Sequence, residues 1–436
     1  MDMLLTGAGV IALLLGVLAL GSWVFSGLVI VAMLSLWGLG DFDAQRIGLI
    51  LSKILFRAAN SWELSAIPLF ILMGELIFRS DISERLFRGL TPLTRHLPGG
   101  ILHTNVLGCT LFAAVSGSSA ATTATVGKIT TQELANRHYD RNLSIGSLAG
   151  AGSLGLLIPP SIVMIVYGVQ AEVSISKLFM AGVLPGLLIA VLYIGYVAMR
   201  SLIDPSVAPR DDGDATGIGR ALLNLAPVLG LIVIVLGAIY SGIATPSEAA
   251  AVGCAATLVL LLWERQLTLS LFIDALRGAL ISSVMVCSLL IAAALLSTAM
   301  GYLHLPRDLA SWIADQAFSP VALLLAMALF YVVLGLFLDG ISITVMSLPI
   351  TLPIIVQAGY DPLWFGVFLV IMVELGQITP PVGFNLFVLQ GLTGESIGRV
   401  ALAAAPFFVL MCIAALLICL WPSIALWLPT VLSGRA

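Results

Sequence analysis

Two short groups of small and hydroxyl-bearing residues interrupt long apolar stretches of the chain. The first is Ser116-Gly117-Ser118-Ser119, and the second is Asp339-Gly340-Ile341-Ser342. Hydroxyl and carbonyl oxygens are the hard ligands that small cations take. Backbone that is not helical at membrane depth persists only where protein or a water-filled cavity covers it. We therefore interpret each group as the tip of a re-entrant hairpin, and each tip as a candidate ligand site.

A Gly-x-x-x-Pro-Pro motif follows each tip, at 155–160 and again at 376–381. Proline removes an N–H donor and disfavours a helical conformation of the residue before it, so carbonyl oxygens of the preceding turn are left free. Each motif and its tip predict an oxygen cage for a small cation, and the N-terminal ends of the hairpin helices would face an anion. The first predicted cage comprises Ser116, Ser118, Ser119, Gly155, Ile158 and Pro160, and the second comprises Asp339, Gly340, Ser342, Thr344, Gly376, Thr379 and Pro381.

A structural role is the alternative for these residues. Small residues are common wherever membrane helices pack closely, and this favours helix packing for any single Gly or Ser of the set. The recurrence of the whole motif favours ligand binding. Of the carboxylates near apolar segments, Asp339 ranks first as functional because it adjoins a tip, while Glu75 and Glu248 are expected to cap or hydrogen-bond and Glu374 is left open.

The composition identifies the class of protein. Of 436 residues only 42 are charged (19 basic and 23 acidic), 60% are apolar, and the mean hydropathy is +1.12. Soluble domains carry about 25% charged residues. The net charge of −4, without a basic run, rules out most nucleic-acid binders, and we expect no nucleic-acid partner. We predict an all-α polytopic membrane protein, with the lipid bilayer as its surroundings.

The chain divides into two similar halves. The Gly-x-x-x-Pro-Pro motifs are separated by 376 − 155 = 221 residues, and Pro185 and Pro406 by the same 221. We predict two repeats, each with five membrane spans, an interfacial arm helix and a re-entrant hairpin. The first repeat is 1–200 with its hairpin at 98–136, a cytoplasmic linker covers 201–219, and the second repeat is 220–436 with its hairpin at 319–358. Ten spans are predicted, at 4–20, 22–38, 62–78, 142–170, 177–200, 221–241, 245–263, 278–301, 363–391 and 400–428.

Span counting predicts that the two halves are inverted, with the hairpins opening on opposite sides. If the first hairpin opens to the cytoplasm, 13 basic residues lie inside and 6 outside, as the positive-inside rule requires. Residues 44–60 form an amphipathic pattern, with Arg46, Lys53 and Arg57 on one helical face, and we predict a helix lying in the membrane interface. A charged loop is the alternative there.

Other functions fit the sequence poorly. Gly127-Lys128 lacks the remaining residues of a phosphate-binding loop, and Ser116 has no mid-membrane histidine to act as its base. A channel would need a continuous polar or acidic pore. Inverted repeats with broken helices are instead typical of secondary transporters. The sequence therefore does not predict an enzyme.

Four runs together resemble the large membrane subunit of the tripartite ATP-independent periplasmic (TRAP) transporters. They are SGSSAATT from Ser116, GLLIPPS from Gly155, IATPSEAA from Ile243 and GQITPPVGFN from Gly376. The resemblance covers essentially the whole chain. It implies a sodium-driven elevator-type transporter in the bacterial cell inner membrane that takes up an organic acid, such as a C4-dicarboxylate or sialic acid.

The resemblance also implies partners and site residues. The partners are a small four-helix membrane subunit and a periplasmic substrate-binding protein. The implied Na⁺ ligands are Ser116, Ser119, Gly155, Ile158 and Pro160 in the first half, and Gly340, Thr344, Gly376, Thr379 and Gly383 in the second. Asp339-Gly340 is the place where the match to the family is least firm.

No mid-membrane arginine is available to bind a carboxylate, so the substrate is expected to contact backbone and hydroxyl groups. The predicted substrate-binding residues are Ser118, Ser119, Thr122, Gly340, Ile341 and Asn385. The alternative is a sodium- or proton-coupled anion carrier that works without a binding protein. A third alternative is a membrane anchoring or assembly protein, but this function leaves the repeated Gly-x-x-x-Pro-Pro motif unexplained.

Overall fold

The structure is a computed structural model. It describes residues 9, 10, 12–14, 16, 17, 20–209, 217–306, 308, 311, 319–381 and 383–433. Much of the predicted first span at 4–20 and the middle of the predicted linker, 210–216, lie outside the described residues. Every regular element of the described part is helical, as the composition predicts.

We number the α-helices of the described residues from α1 to α18. Their bounds are α1 Val24–Gly38, α2 Ala44–Ala59, α3 Ala66–Phe78, α4 Ile82–Thr94, α5 Leu102–Ser116, α6 Ser119–Asn136, α7 Arg141–Gly152, α8 Ile162–Gln170, α9 Ile175–Ile203, α10 Ile218–Tyr240, α11 Pro246–Trp263, α12 Leu269–Tyr302, α13 Pro320–Gly335, α14 Gly340–Gln357, α15 Pro362–Gln377, α16 Phe384–Thr393, α17 Ile397–Leu420 and α18 Ser423–Ser433.

Helix starts in this chain carry the capping residues that the N-terminal N–H groups need. Ser118, Asp140 and Ser161 accept hydrogen bonds at the starts of α6, α7 and α8. At the start of α11, Thr245 and Glu248 form a capping box. The predicted helix start at 245–248, with Glu248 as a capping residue, is thus confirmed.

Six of the described helices, α9, α10, α11, α12, α14 and α17, are long and apolar enough to cross a bilayer. A seventh span is added if the segments 44–57 and 62–78, which meet at 56°, are one broken span. Large apolar side chains point outward on these helices, such as Leu402 at 78% exposure and Val233 at 69%. An apolar outer surface of this kind suits contact with lipid rather than water.

The same elements recur in the two halves at one offset. Helices α6 and α14 begin 340 − 119 = 221 residues apart, and α7 and α15 begin 362 − 141 = 221 apart. The only two cis peptide bonds in the described residues, Pro159-Pro160 and Pro380-Pro381, keep this offset. The repeat predicted from the motifs therefore extends to whole helices.

Equivalent helices of the two halves make equivalent contacts across the boundary between the halves. Helix α6 packs on α16 while its counterpart α14 packs on α8, and α1 packs on α12 while α11 packs on α3. Such reciprocal pairing indicates a two-fold relation between the halves. The Arg141–Glu395 ion pair lies at the open end of the α5/α6 hairpin, whereas Tyr360 donates to Pro320 O at the open end of the α13/α14 hairpin. We call these the first end and the second end of the molecule.

The path of the chain shows that the hairpins open in opposite directions. Helix α8 runs from the first Pro-Pro break to the second end, and the Tyr167 hydroxyl on α8 donates to Pro362 O at the start of α15. Helix α16 runs from the second break to the first end, where Arg141 meets Thr393 O. The two halves are thus inverted relative to each other.

Three predicted spans differ in detail from the structure. Regions 142–170 and 363–391 are each two helices, because the cis Pro-Pro pairs interrupt them. Region 400–428 also divides, into α17 and α18, since Pro422 disfavours a helical conformation at Trp421. In the second half the predicted arm is continuous with the next span, as the first turns of the 34-residue helix α12.

Candidate functional site

The tip of the first hairpin packs directly against the first break. Gly117 has a left-handed conformation with φ 63°, and its carbonyl accepts a hydrogen bond of 3.3 Å from Ile162 N. A Cβ on Gly117 would lie 2.7 Å from Pro160 O, and one on Gly155 would lie 2.6 Å from Ser119 N. Only glycine permits this approach at either position. The structure therefore brings Ser119, Gly155 and Pro160 together, as predicted.

Hydroxyl groups of the first tip lie in the protein interior. The Ser116 and Thr122 hydroxyl oxygens are 2.9 Å apart, and both residues are buried. The Ser118 hydroxyl accepts from Ala121 N at the start of α6, and the Ser119 hydroxyl donates to the Glu374 carboxylate. The first tip thus offers several hydroxyl oxygens between Ser116 and Thr122.

The remaining residue of the first predicted cage, Ile158, is buried. A Cβ on Gly186 would lie 2.7 Å from its side chain, so α9 approaches the break closely there. The N–H of Ile158 donates to Leu154 O at 3.0 Å. The predicted ligand at Ile158 is its carbonyl, and its side chain packs the break against α9.

The second break contacts the other arm of its own hairpin. Gly376 packs against Gly335 at the end of α13, where a Cβ on Gly376 would lie 2.5 Å from Gly335 Cα. Gly383 has φ 48°, and its Cβ would lie 2.7 Å from Thr379 O. The Thr379 hydroxyl donates to Leu375 O at 2.6 Å. Gly376, Thr379 and Gly383 therefore form one compact loop, with the Pro380-Pro381 pair between them.

The second tip is organised by Asp339. Its Oδ2 accepts from Ile341 N and Ser342 N at 3.1 and 3.2 Å, and its Oδ1 accepts from the Ser342 hydroxyl. The Thr344 hydroxyl donates to Gly340 O at 2.8 Å. In the described hydrogen bonds, these side chains are satisfied within their own hairpin. Their role as cation ligands remains a prediction, and the structure gives Asp339 the role of a helix cap.

The two halves meet at Glu374 and Gly340. Glu374 Oε1 accepts from the Ser119 hydroxyl and, at 3.2 Å, from Leu156 N of the first break. A Cβ on Gly340 would lie 2.8 Å from the Leu156 side chain and 3.0 Å from Gln377 Nε2. Elements of both breaks and both tips thus converge on one region of the molecule.

Several buried polar atoms near the breaks have no hydrogen-bond partner among the described residues. They are Glu374 Oε2, both amide atoms of Asn385 and Thr123 Oγ1. Most buried polar groups in proteins are paired, so unpaired ones suggest a ligand, ion or water. Asn385 belongs to the predicted substrate-binding set, whereas Thr123 and Glu374 are not in the predicted site. The signal for Glu374 is its position two residues before Gly376 in an apolar run.

The predicted substrate-binding residues fall into two groups. Thr122, Asn385 and Ser119 are buried, with Ser119 and Thr122 on α6 and Asn385 in the first turn of α16. Ser118, Gly340 and Ile341 lie at the tips, where Ile341 N is already bonded to Asp339. The structure places both groups beside the breaks.

The donor atoms at the breaks and tips are oxygens. The described residues contain no cluster of three or more His, Cys, Asp or Glu side chains. The donors are instead hydroxyls, backbone carbonyls and one carboxylate with an unpartnered oxygen. Oxygen ligands of this kind suit hard cations.

Two clefts separate the hairpins from neighbouring helices. At the first end, a cleft of about 880 Å³ lies between α6, the α3–α4 turn and the start of α12, and Lys128 and Asp274 line it. At the second end, a cleft of about 1140 Å³ lies between α14, the α2–α3 junction and α11, and Arg57 and Pro349 line it. Each hairpin therefore borders an open space at its own end.

Comparison with known proteins decides the family. The profile of the "Tripartite ATP-independent periplasmic transporter, DctM component" matches residues 11–424. The chain is 35% identical, over 86% of its length and 88% of the relative, to the C4-dicarboxylate TRAP transporter large permease protein DctM of Pseudomonas aeruginosa. It belongs to this family. The resemblance seen in the sequence is thus confirmed, and the chain is a transporter permease and not an enzyme.

Further relatives and one solved structure extend the comparison. The sialic acid TRAP transporter large permease protein SiaM of Vibrio cholerae is 29% identical over 86% of this chain and 88% of SiaM. The isethionate TRAP transporter permease protein DctMQ of Oleidesulfovibrio alaskensis is 34% identical over 84% of this chain but only 58% of its own length. The crystal structure of the Alcanivorax borkumensis YdaH transporter matches with a TM-score of 0.63 at 14% identity, covering 90% of each chain. This structural match supports the multi-pass helical fold of the permease.

Proposed function

We propose that this permease carries out sodium-coupled uptake of an organic acid across the bacterial inner membrane. The observation that carries the proposal is the convergence of two oxygen-rich breaks and two hairpin tips on one buried region. The printed names of the relatives include transporters of C4-dicarboxylates and sialic acid, which are carboxylates. A carboxylate is therefore the substrate class that we assign to this chain.

In the proposed mechanism, one Na⁺ binds at each break. Ser116, Ser119 and the carbonyls of the first break would hold the first ion, and Gly376, Thr379 and Gly383 would help to hold the second. The ions would supply positive charge beside the tips, and the N–H groups at the start of α6 favour an anion. This arrangement would bind a carboxylate without an arginine.

Movement is proposed to follow an elevator mechanism. The clefts at the two ends separate the hairpins from α3, α11 and α12, which would stay fixed while the hairpins and breaks slide past them. Closure of one cleft and opening of the other would expose the same site to alternate sides. The hairpin at the second end would then face the periplasm, in line with the 13 to 6 distribution of basic residues.

We propose two protein partners, a small membrane subunit and a periplasmic substrate-binding protein. The isethionate relative DctMQ extends well beyond the length matched here, which leaves room for a second component in that protein.

Charge counting gives the proposal a measurable consequence. Two Na⁺ and one dicarboxylate add no net charge to the carrier, whereas two Na⁺ and a monocarboxylate add one positive charge. Moving one charge is worth about 2.3 kcal/mol per 100 mV. Dicarboxylate uptake should therefore be insensitive to voltage. Inward current that grows with inside-negative potential during dicarboxylate uptake would require a third cation.

Uptake into liposomes tests the proposal. The permease and its small subunit would be reconstituted, and uptake of labelled organic acids measured under a Na⁺ gradient with and without the binding protein. Uptake that requires both Na⁺ and the binding protein is expected. Uptake with Na⁺ alone would point to a self-sufficient carrier, and uptake indifferent to Na⁺ would overturn the cation sites.

A further inference from the structure

Glu374 joins the two halves at the centre of the candidate site. It lies on α15 of the second half and is only 1% exposed. Both of its described hydrogen-bond donors, the Ser119 hydroxyl and Leu156 N, belong to the first half. Its second oxygen, Oε2, is buried without a described partner. This carboxyl group therefore reaches from one repeat into the ligand set of the other.

The surroundings of Glu374 supply no protein cation in the described residues. The ion pairs described elsewhere in the chain, such as Arg85–Glu264 and Arg141–Glu395, all join acidic residues to arginines, and none includes Glu374. A buried carboxylate is costly unless a positive charge or further hydrogen bonds compensate it. For the ionised form of Glu374, the compensating charge must come from something other than a described side chain.

The contact with Ser119 shows how a bound cation would meet this need. When the Ser119 hydroxyl donates its proton to Glu374, the lone pairs of its oxygen are left for another partner. The other oxygens predicted for the first cage belong to neutral hydroxyl and carbonyl groups. Carboxylates that accept from a metal ligand orient that ligand and strengthen its binding.

We propose that Glu374 is the anionic partner of the first cation site, acting through Ser119 across the boundary between the repeats. The inference rests on the proposed sodium coupling and adds a residue to it. It makes the two cation sites unequal, because the position equivalent to Glu374 in the first half is Ser153 (374 − 221 = 153). Ser153 is neutral, and its hydroxyl donates to Gly150 O at 2.6 Å. The first site would therefore bind Na⁺ more tightly and fill before the second.

Direct Na⁺ binding to the purified permease with its small subunit tests the inference without transport. Isothermal titration with NaCl in a choline chloride background would give the dissociation constants of the wild type and of Glu374→Gln, which keeps an acceptor for Ser119 but removes the charge. We expect Glu374→Gln to raise one of two Na⁺ dissociation constants by about 10- to 100-fold. Glu374→Asp should recover part of the loss. The matched control is Glu84→Gln, which removes an equal charge from an exposed pair with Arg88.

The outcomes separate this inference from the proposed function. A wild type that binds no Na⁺ would overturn the sodium coupling, and this inference with it. Wild-type binding that Glu374→Gln leaves unchanged, or that it weakens equally at both sites, would overturn the inference alone. If Glu374→Gln does not fold, infrared difference spectra on adding Na⁺ are the second measurement. A carboxylate band that shifts between the wild type and Glu374→Asp would support the inference, and the absence of such a band would overturn it.

Discussion

The two Pro-Pro breaks share a backbone but differ in the side chains that surround them. Each has a cis Pro-Pro pair and a glycine five positions before the second proline, at Gly155 and Gly376. Gly155 packs on Ser119 at the start of α6, whereas Gly376 packs on Gly335 at the end of α13. The fold is repeated, but the contacts of these two glycines are not.

The tips show the same division between backbone and side chain. In the first tip, Ser118 caps α6 with one hydrogen bond of 3.4 Å. In the second tip, Asp339 occupies the equivalent position (339 − 118 = 221) and caps α14 with two. The carboxylate of Asp339 therefore accepts hydrogen bonds from α14 within its own hairpin, whereas the carboxylate of Glu374 accepts hydrogen bonds from the first half. The two halves share a backbone arrangement, but their different side chains make the two tips chemically unequal.

The largest effects are expected where glycine permits backbone contact. Gly155→Ala would place a Cβ 2.6 Å from Ser119 N, and Gly376→Ala would place one 2.5 Å from Gly335 Cα. Overpacking of this kind costs about 1–3 kcal/mol. We expect uptake in liposomes to fall at least tenfold in both variants.

Gly391→Ala is the matched control for these two variants, because it lies on α16 and a Cβ there would meet no atom within 4 Å. It should transport like the wild type. If Gly376→Ala also transports normally, the close contact of the second break has no function and the two breaks differ more than the structure suggests.

The hydroxyl ligands should give the next largest effect. Ser119→Ala removes a predicted ligand of the first site and a donor to Glu374, while Thr379→Ala removes a hydroxyl only from the second break. We expect the Na⁺ concentration for half-maximal uptake to rise about 10-fold for Ser119→Ala, by analogy with lost outer-shell contacts, and less for Thr379→Ala. Sodium titrations of uptake measure both. Equal shifts in the two variants would contradict the inequality of the sites.

Removal of the helix caps at the two tips is expected to have a smaller effect than removal of the hydroxyl ligands. Loss of an N-cap costs about 0.5–2 kcal/mol. Asp339→Ala removes two hydrogen bonds from helix N–H groups, of 3.1 and 3.2 Å, and a third from the Ser342 hydroxyl, whereas Ser118→Ala removes only one, of 3.4 Å, so the thermal unfolding temperature should fall further for Asp339→Ala. Asp339→Asn keeps an acceptor for the helix and tests the alternative role. If Asp339 is a cap and not a Na⁺ ligand, Asp339→Asn should bind both Na⁺ like the wild type.

Much of this architecture follows from local sequence signals. Proline pairs and glycines act on their own backbone, so the positions of both breaks and the 221-residue repeat can be predicted from the chain alone. The same holds for the helix start at Thr245 and Glu248. These features require no knowledge of distant contacts.

Contacts between the halves could not be predicted in this way. Glu374 and Ser119 are 255 residues apart, and no local pattern shows that they meet. The role of Asp339 likewise depended on geometry: an acidic residue beside a tip suggests a ligand, but its oxygens are used by its own helix. Local rules identify which residues are unusual, and packing decides what they touch.

The smallest effect is expected at the first end, far from the breaks. Glu395 accepts from Arg141 Nε at 2.6 Å and from Arg399 Nη1 at 2.9 Å, and its hydrogen bond with Arg399 is the main cause that lowers its pKa below the ordinary value of 4.5. A lowered pKa stabilises the folded state above the ordinary value, and this contribution is lost as the pH falls through the pKa of the folded protein. Both arginines are more than half exposed, so solvent screens the interaction.

We expect Glu395→Gln to lower the unfolding temperature slightly at pH 7, with the difference from the wild type shrinking below about pH 4.5. Thermal unfolding measured at several pH values would show this, and a difference that grows toward low pH would contradict it. Since Arg141 begins α7 in the first half and Glu395 precedes α17 in the second, the same experiment reports whether an ion pair helps to hold the halves together at this end, as hydrogen bonds do at Glu374.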